Sequence, residues 1–168
     1  MARLTRLRRL CFTATPGPGS QTGWAGHGEA QVESSADRDG IRLYERGHFT
    51  PRATGAPIAF QNVYRWVEQA ERLSLWHERF GRDAAVWLFD LVAADRNTLV
   101  TAAPHPCGAD RYDARLTLAG DGFDLRWSIS GPRKDETLAY RYRVGAAGAD
   151  QDGRNSGSSQ PGRNRNTA

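Results

Sequence analysis

The sequence predicts an all-β protein, built as a single antiparallel up-and-down β-barrel of about ten short strands. Three observations indicate this fold. Apolar residues recur with a period of two along most of the chain. Clusters of Gly, Pro and Asp separate the alternating segments at short intervals, as turns do. No segment has the pattern of a long helix. Evenly spaced antiparallel strands are typical of a sandwich or a barrel, and a closed barrel leaves no strand edges to protect.

The first half of the chain is expected to form five strands, over residues 7–14, 24–32, 41–49, 59–67 and 72–78. In the second of them, Gly26 and Gly28 share a face, which indicates a bend or a close approach of neighbouring strands. Residues 37–40 form a turn, and residues 51–57 form a loop bounded by prolines. A helix over residues 67–75 is the alternative for that segment, because its apolar residues are loosely spaced at helical intervals.

The second half is expected to form five more strands, over residues 84–91, 99–102, 111–118, 123–130 and 138–144. A hairpin turn is predicted at residues 81–83, and the Ala-Gly-Asp-Gly sequence at 119–122 is a strong hairpin signal. Residues 131–135 form another turn. The barrel domain is thus expected to span residues 1–144. Residues 145–168 contain no aromatic side chain, and alanines are their only apolar side chains apart from Pro161, so we expect a disordered polar tail.

The positive charge lies at the two ends of the chain. The net charge is +4, but residues 1–20 hold four arginines without an acidic residue, and residues 145–168 hold three arginines against two aspartates. The body of the chain is therefore close to neutral. A nucleic-acid-binding domain usually clusters its cations on the folded body, so nucleic acid is not an expected partner. The oligomeric state is left unassigned.

The sequence also lacks two features, a membrane-spanning helix and the apolar core of a secretory signal. No stretch approaches the ~18 consecutive apolar residues of a membrane-spanning helix. The arginine-rich start has no apolar core of the kind that a secretory signal has, so we expect a cytoplasmic protein. Its two cysteines, Cys11 and Cys107, are then expected to be reduced. Two cysteines also make neither a disulfide scaffold nor a four-cysteine zinc site.

The densest group of reactive residue types lies in a proline-bounded segment, where His105, Cys107, Asp110 and Tyr112 fall within eight residues. A histidine beside a cysteine can activate the thiol as a nucleophile. The alternative is a rigid bend in which Cys107 fills space and Asp110 accepts backbone hydrogen bonds. We favour the bend, and assign no residue as catalytic.

The remaining histidines, His27, His48 and His77, are scattered, and none has the spacing of a metal-binding pair. No metal site is therefore predicted. A haem-binding barrel needs only one well-placed histidine, so haem stays open and no cofactor is predicted.

A second cluster lies in the turn Gly131-Pro-Arg-Lys-Asp135. Lys134 is the only lysine, beside 22 arginines, which suggests that this position needs a compact ammonium group. With Arg133 it forms a cationic lip suited to a carboxylate or a phosphate. The alternative is an ordinary solvated hairpin tip.

Aromatic residues are plentiful, and Tyr64, Trp66 and Trp127 are candidates for lining a cavity. Glu45 shares a strand face with Ile41 and Leu43, which points its carboxylate inward. A buried carboxylate must be paired or protonated. Arg65 or Arg126 is the expected partner.

Several segments together resemble an uncharacterised, mostly bacterial family, DUF6314, whose members are similar to lipocalin-like barrels. The specific parts are His-Pro-Cys-Gly-Ala-Asp-Arg-Tyr at 105–112 and Gly-Pro-Arg-Lys-Asp at 131–135. The Leu-Tyr-Glu-Arg-Gly segment at 43–47 is a weaker part. Tyr-Arg-Trp at 64–66, Trp-Leu-Phe-Asp-Leu at 87–91, Trp-Ser-Ile-Ser at 127–130 and Tyr-Arg-Tyr at 140–142 occur in the same order along the chain. The resemblance covers roughly residues 5–144 and implies a lipocalin-like fold. It carries no activity, substrate or catalytic residue.

The leading hypothesis is a binding module for a small, partly apolar ligand with an anionic group. Its candidate ligand-binding residues are Glu45, Tyr64, Trp66, His77, His105, Cys107, Asp110, Tyr112, Trp127, Arg133 and Lys134. One alternative is an enzyme on the same barrel that uses the cluster at 105–112, with His105 as general base. Another is a barrel with a filled interior that acts in protein interaction.

Overall fold

The computed structural model describes residues 2–145. They form an all-β barrel with two short 3-10 turns, Leu4–Arg6 and Arg82–Ala84. The predicted tail at 145–168 lies almost wholly outside the described residues. The eleven strands of the described part are β1 Leu7–Pro16, β2 Gly26–Asp37, β3 Gly40–Pro51, β4 Ile58–Gln69, β5 Arg72–His77, β6 Val86–Asp95, β7 Thr98–Thr101, β8 His105–Cys107, β9 Asp110–Ala119, β10 Gly122–Ser130 and β11 Asp135–Val144.

Ten of these strands close into a barrel. Each pairs antiparallel with the next along the chain, and β11 pairs with β1 to complete the ring. The strand β9 is shared, because its C-terminal part pairs with β7 and its N-terminal part with the short β8. The predicted fold class, a single antiparallel up-and-down barrel of about ten strands, is confirmed. No helix of the described residues is long and apolar enough to cross a membrane.

Alternation of apolar and polar residues explains why these segments are strands. In β10, Phe123, Leu125, Trp127 and Ile129 are buried, and the polar residues between them are exposed. Side chains of successive strand residues point to opposite faces, so one face of each strand fills the barrel and the other meets water.

The glycines of β2 allow the close approach that the sequence predicts. A side chain at Gly28 would overlap the ring of Phe12 on the neighbouring strand. That ring stacks on Phe49 and Tyr140, with centroid distances of 5.7 and 5.1 Å. Because neighbours hold the ring on both sides, it fills the space that a side chain at position 28 would need.

Three local expectations differ from the structure. Strand β2 begins at Gly26 rather than at Trp24, which lies in the preceding loop. The strand β8 was not predicted, because its prolines indicate a bend. The alternative helix over 67–75 is wrong: β4 and β5 meet there in a two-residue turn. Pairing of both strands with their neighbours outweighs the loose helical spacing.

The two ends of the barrel are built differently. At one end, which we call the turn end, each connection is a two-residue turn, at 38–39, 70–71, 96–97 and 120–121. At the other, the loop end, five connections are longer, at 17–25, 52–57, 78–85, 102–104 and 131–134, and only the β8–β9 turn at 108–109 has two residues. Binding residues occur disproportionately on loops held by a rigid scaffold, so we expect the binding residues of this barrel at the loop end.

Candidate functional site

The middle of the barrel is filled. Trp66, Leu75, Leu125 and Tyr142 are each at most 2% exposed. The space among the central side chains is too small for a water molecule, and its lining consists of Tyr64, Trp66, Leu75, Leu125, Trp127, Tyr140 and Tyr142. We call this layer the waist. It separates the interior of the loop end from that of the turn end.

Glu45 is a fully buried carboxyl group at the waist, with 0% exposure. Its Oε1 accepts a hydrogen bond of 2.6 Å from the hydroxyl of Tyr142, and its Oε2 accepts one of 3.3 Å from Nδ2 of Asn62. Burial raises the pKa of Glu45 to about 7, although both hydrogen bonds act in the opposite direction. The group therefore changes its protonation state near neutral pH.

The prediction that Arg65 or Arg126 pairs with Glu45 is wrong. Arg65 lies on the outer face of β4, where its Nε is 2.6 Å from Oε1 of Glu78. Arg126 alternates with the buried residues Leu125 and Trp127 and is exposed on the outside of β10. Because strand residues alternate between faces, neither arginine reaches the interior. A tyrosine and an amide partner Glu45 instead.

The tyrosines around Glu45 stay protonated. Burial raises the pKa of Tyr64, Tyr140 and Tyr142 above its usual value, and the charge of Glu45 adds to this effect. A neutral phenol both donates and accepts a hydrogen bond. The waist is thus a mostly aromatic layer with a few hydroxyl groups around one carboxyl group.

Above the waist, the inner wall of the loop end is aromatic. The ring of Tyr64 stacks on His77 with centroids 4.9 Å apart and lies 6.4 Å from the ring of Trp127. Burial lowers the pKa of His77, and the nearby positive charge of Arg79 lowers it further. Tyr64 shares the inward face of β4 with Trp66 but is only partly buried. Tyr64 therefore lies between the filled waist and His77.

A second group of side chains lies at the rim of the loop end. His105 of β8 is directly opposite Tyr112 of β9, so the two share a face of the sheet. Nζ of Lys134 donates a hydrogen bond of 2.5 Å to Oδ2 of Asp110 and one of 3.4 Å to the Tyr112 hydroxyl. The bond to Asp110 raises the pKa of Lys134. The His105 ring also contacts Trp87, with centroids 4.9 Å apart.

The turn at 131–134 must begin with a glycine to reach this group. A Cβ at Gly131 would overlap the carboxylate of Asp110. Without a side chain there, the turn lies close enough for Lys134 to meet Asp110. Arg133, the other member of the predicted cationic lip, is exposed.

Three buried nitrogen atoms at the loop end have no hydrogen-bond partner within the described residues. They are Nε1 of Trp127, Nε2 of His77 and Nδ1 of His105. The indole nitrogen can only donate, whereas each imidazole nitrogen either donates or accepts according to its tautomer. A buried donor without a partner costs about 1–3 kcal/mol. These atoms are suited to a ligand that supplies hydrogen-bond acceptors.

The eleven candidate residues predicted from the sequence fall into three groups. Glu45 and Trp66 lie at the waist, Tyr64 and Trp127 lie where the waist meets the loop end, and the loop end above them holds His77, His105, Asp110, Tyr112 and Lys134. Cys107 and Arg133 are exposed. Within the described part of the chain, the thiol of Cys107 makes no hydrogen bond to His105, and no three His, Cys, Asp or Glu side chains are placed to hold a metal ion.

Sequence reasoning missed a buried ion cluster on the outer face. Arg42 is 3% exposed, and its guanidinium lies 2.7 Å from Glu78 and 2.6 Å from Asp37. Burial alone would raise the pKa of Glu78, but hydrogen bonds and charges from Arg42 and Arg65 outweigh it and lower the pKa. In the sequence, Arg42 and Arg65 alternate with inward-facing residues, which predicts only that they lie on the outer face of the barrel. The loop that brings Glu78 over them gives no signal in the sequence.

The fold and this site define a class: a closed ten-stranded antiparallel barrel with a filled waist and an aromatic, histidine-containing loop end. The chain also matches a protein-family model over residues 15–144. It belongs to the family of unknown function DUF6314. The family resemblance stated from the sequence motifs is thereby confirmed. No curated protein and no solved structure matches the chain.

Proposed function

We propose that the protein is a binding module that holds a small, partly apolar ligand with an anionic or otherwise acceptor-rich group at the loop end of the barrel. The observation that carries this proposal is the set of unpartnered buried nitrogens on Trp127, His77 and His105. Each of these residues lies beside an aromatic ring: Trp127 and His77 beside Tyr64, and His105 beside Trp87. A concave, mostly apolar site with a few polar groups is typical of small-molecule recognition.

The hydrogen-bond donors of the site indicate the chemistry of the ligand. Nε1 of Trp127 can only donate, so the ligand must supply a hydrogen-bond acceptor. The imidazoles of His77 and His105 can each donate a hydrogen bond to such an acceptor as well. The aromatic rings of Tyr64 and Tyr112 suit a flat apolar body. Since Asp110 neutralises Lys134, the exposed guanidinium of Arg133 is the remaining cation of that turn and favours an anionic group at the rim.

A cytoplasmic location is part of the proposal. Both cysteines of the chain, Cys11 and Cys107, are exposed and unpaired. Exposed free thiols persist where the compartment is reducing. The location can be measured directly, by fractionating cells that express the chain with a small epitope tag.

The first test asks whether a ligand is carried from the cell. Native mass spectrometry of freshly purified protein is compared with the denatured mass, and the absorption spectrum of the same sample is recorded. Extra mass that is lost on denaturation identifies the ligand class, and a Soret band would indicate haem. Because weak ligands are lost during purification, a second test uses an added probe.

The probe is 8-anilinonaphthalene-1-sulfonate, a small aromatic anion whose fluorescence rises in apolar sites. Trp127→Phe removes the indole donor and keeps an aromatic ring. It is expected to weaken probe binding about five-fold, the loss of one hydrogen bond of roughly 1 kcal/mol. The matched control is Trp76→Phe, since Trp76 lies on the outer face, 4.9 Å beneath the Arg65 guanidinium. Equal affinities in the two variants, or no probe binding at all, would contradict the proposed site.

A further inference from the structure

The turn end of the barrel holds a cavity of its own, on the far side of the waist. Its volume is about 370 Å³. Most of the wall is apolar, and its charged side chains lie at the edge. The apolar lining includes Leu73, Leu91, Ala93, Leu99, Leu116 and Phe123.

The cavity exists because the N-terminal 3-10 turn covers only half of this barrel end. That turn, Leu4–Arg6, packs against β2 and β3, where Leu4 and Leu7 are 6% and 0% exposed. Within the described residues, no such turn covers the other half, over β5 to β9, and only the side chain of Arg3 reaches across, to Ala119 and Gly122. Leu118, which shares the inward face of β9 with the buried Leu116, is 42% exposed as a result.

The interior of the cavity suits an aliphatic chain. Leu91 and Leu116 form its floor and are 0% and 2% exposed, and Phe123 beside them is 1% exposed. These walls offer dispersion contacts and no side-chain hydrogen bond. A cavity of ~150 Å³ accommodates benzene, so this one has room for at least about ten carbon atoms.

The unpaired charge at the rim is negative. Glu68 and Glu71 are exposed, and within the described residues they make no ion pair. Arg72 is paired with Asp90 at 3.4 Å, and Arg3 donates to the backbone carbonyls of Ala119 and Gly122. Within the described residues, two unpaired carboxylates at the rim therefore face one unpaired guanidinium, that of Arg3, whose N–H groups already donate to backbone carbonyls. This net negative charge favours a positively charged head group.

We propose that this cavity is a second binding site, which takes a straight aliphatic chain of about ten carbon atoms ending in an ammonium group. The loop-end site and this one are separated by the waist, where no space for a water molecule remains. The two sites therefore bind independently, and this proposal does not depend on the ligand proposed for the loop end.

The test uses decylammonium and decanoate below their micelle concentrations, which share a chain length and differ in head-group charge. Binding is followed by the methyl resonances of Leu91, Leu116 and Leu118. Decylammonium is expected to shift these resonances saturably and to bind at least five-fold more tightly than decanoate. No saturable shift, or equal affinity for the two probes, would overturn the proposal.

Three variants and one control locate the site. Ala93→Phe fills the cavity from its exposed edge, so the fold is expected to tolerate it, and decylammonium binding should fall at least ten-fold. Its matched control is Ala59→Phe, an exposed alanine of β4 that lines no part of this cavity.

Replacing Glu68 and Glu71 with glutamine should weaken the binding of decylammonium about two- to five-fold and should not weaken the binding of decanoate. Trp127→Phe should leave decylammonium binding unchanged, and a loss there would show that the probe occupies the loop end instead.

Discussion

Replacing Glu45 with glutamine is expected to stabilise the folded protein above neutral pH and to remove part of its dependence on pH. Glutamine has the size of the protonated acid. It keeps an acceptor for the Tyr142 hydroxyl, and the amide of Asn62 can rotate to accept from the new amide group. The substitution therefore imitates the neutral form of Glu45 and prevents ionisation at the waist.

The direction of the pH dependence follows from the pKa of Glu45 in the folded and in the unfolded chain. In the folded protein the pKa of Glu45 is raised to about 7, from an ordinary value of 4.5. Between these values the folded state holds a proton that the unfolded chain has released. The contribution of Glu45 to stability is thus fully present below 4.5 and is lost as the pH rises through 7.

The size of the loss is set by the difference between the two pKa values. At 1.36 kcal/mol per unit, burial of the ionised group costs about 3 kcal/mol above pH 8. Most of this, roughly 2.5 kcal/mol, develops between about pH 5 and pH 8. For a domain of this length, that corresponds to about 8 °C in melting temperature, at roughly 3 °C per kcal/mol.

The assay is thermal unfolding of the wild type and Glu45→Gln at half-unit steps from about pH 5 to pH 8. The control is Glu33→Gln, at an exposed position on the outer face of β2. Subtracting each variant from the wild type cancels the other titrating groups. The gap between Glu45→Gln and the wild type should widen with pH, whereas that of the control should stay constant. A constant gap for Glu45→Gln would refute the reasoning, because Glu45 would then be ionised over the whole range.

Three further changes test the packing. Gly28→Val should destabilise the fold by about 2–3 kcal/mol in urea unfolding, because the ring of Phe12 occupies that space and its neighbours prevent it from moving. Glu78→Gln leaves Arg42 buried with a weaker partner and should cost about 3 kcal/mol at neutral pH. Because the pKa of Glu78 is lowered, this difference should shrink as the pH falls below the usual carboxyl range; a difference independent of pH would contradict the ion pair. Leu125→Ala opens the waist and should cost about 2–5 kcal/mol, and a cost below 1 kcal/mol would mean that the layer is loosely packed.

The filled waist has a functional consequence. In a barrel with one continuous cavity, a long ligand entering at the loop end could extend toward the turn end. Here Trp66, Leu125 and Tyr142 occupy that path. A ligand at either end therefore contacts only its own half of the interior, and the two halves differ in chemistry: aromatic and hydrogen-bonding at the loop end, aliphatic at the turn end.

Part of the candidate site was accessible from the sequence. The hairpin signal at 119–122 fixes the register of β9 and β10, and that register places Arg111 opposite Ser130. It brings Asp110 and Tyr112 near the turn that holds Lys134. The segments at 105–112 and 131–135 are each recognisable in the sequence. The two segments lie close together because of one local turn, so their proximity could be predicted from the sequence.

Other parts of the site had no local signal. Glu45 and Tyr142 are 97 residues apart, and they meet only because β11 pairs with β1 and closes the barrel. The inward direction of Glu45 follows from alternation along β3. Its partner depends on which strand lies across the interior, and a strand's own sequence carries no information about that.

The sequence by itself determined the all-β class, the up-and-down order of the strands and the positions of most turns. These depend on alternation and on turn chemistry, which act between neighbours in the chain. Only the tertiary structure decided that the waist is filled, that Glu45 is partnered by Tyr142 and Asn62, and that the N-terminal turn covers half of one barrel end. These features depend on the volumes of side chains from all ten strands, which compete for one interior space.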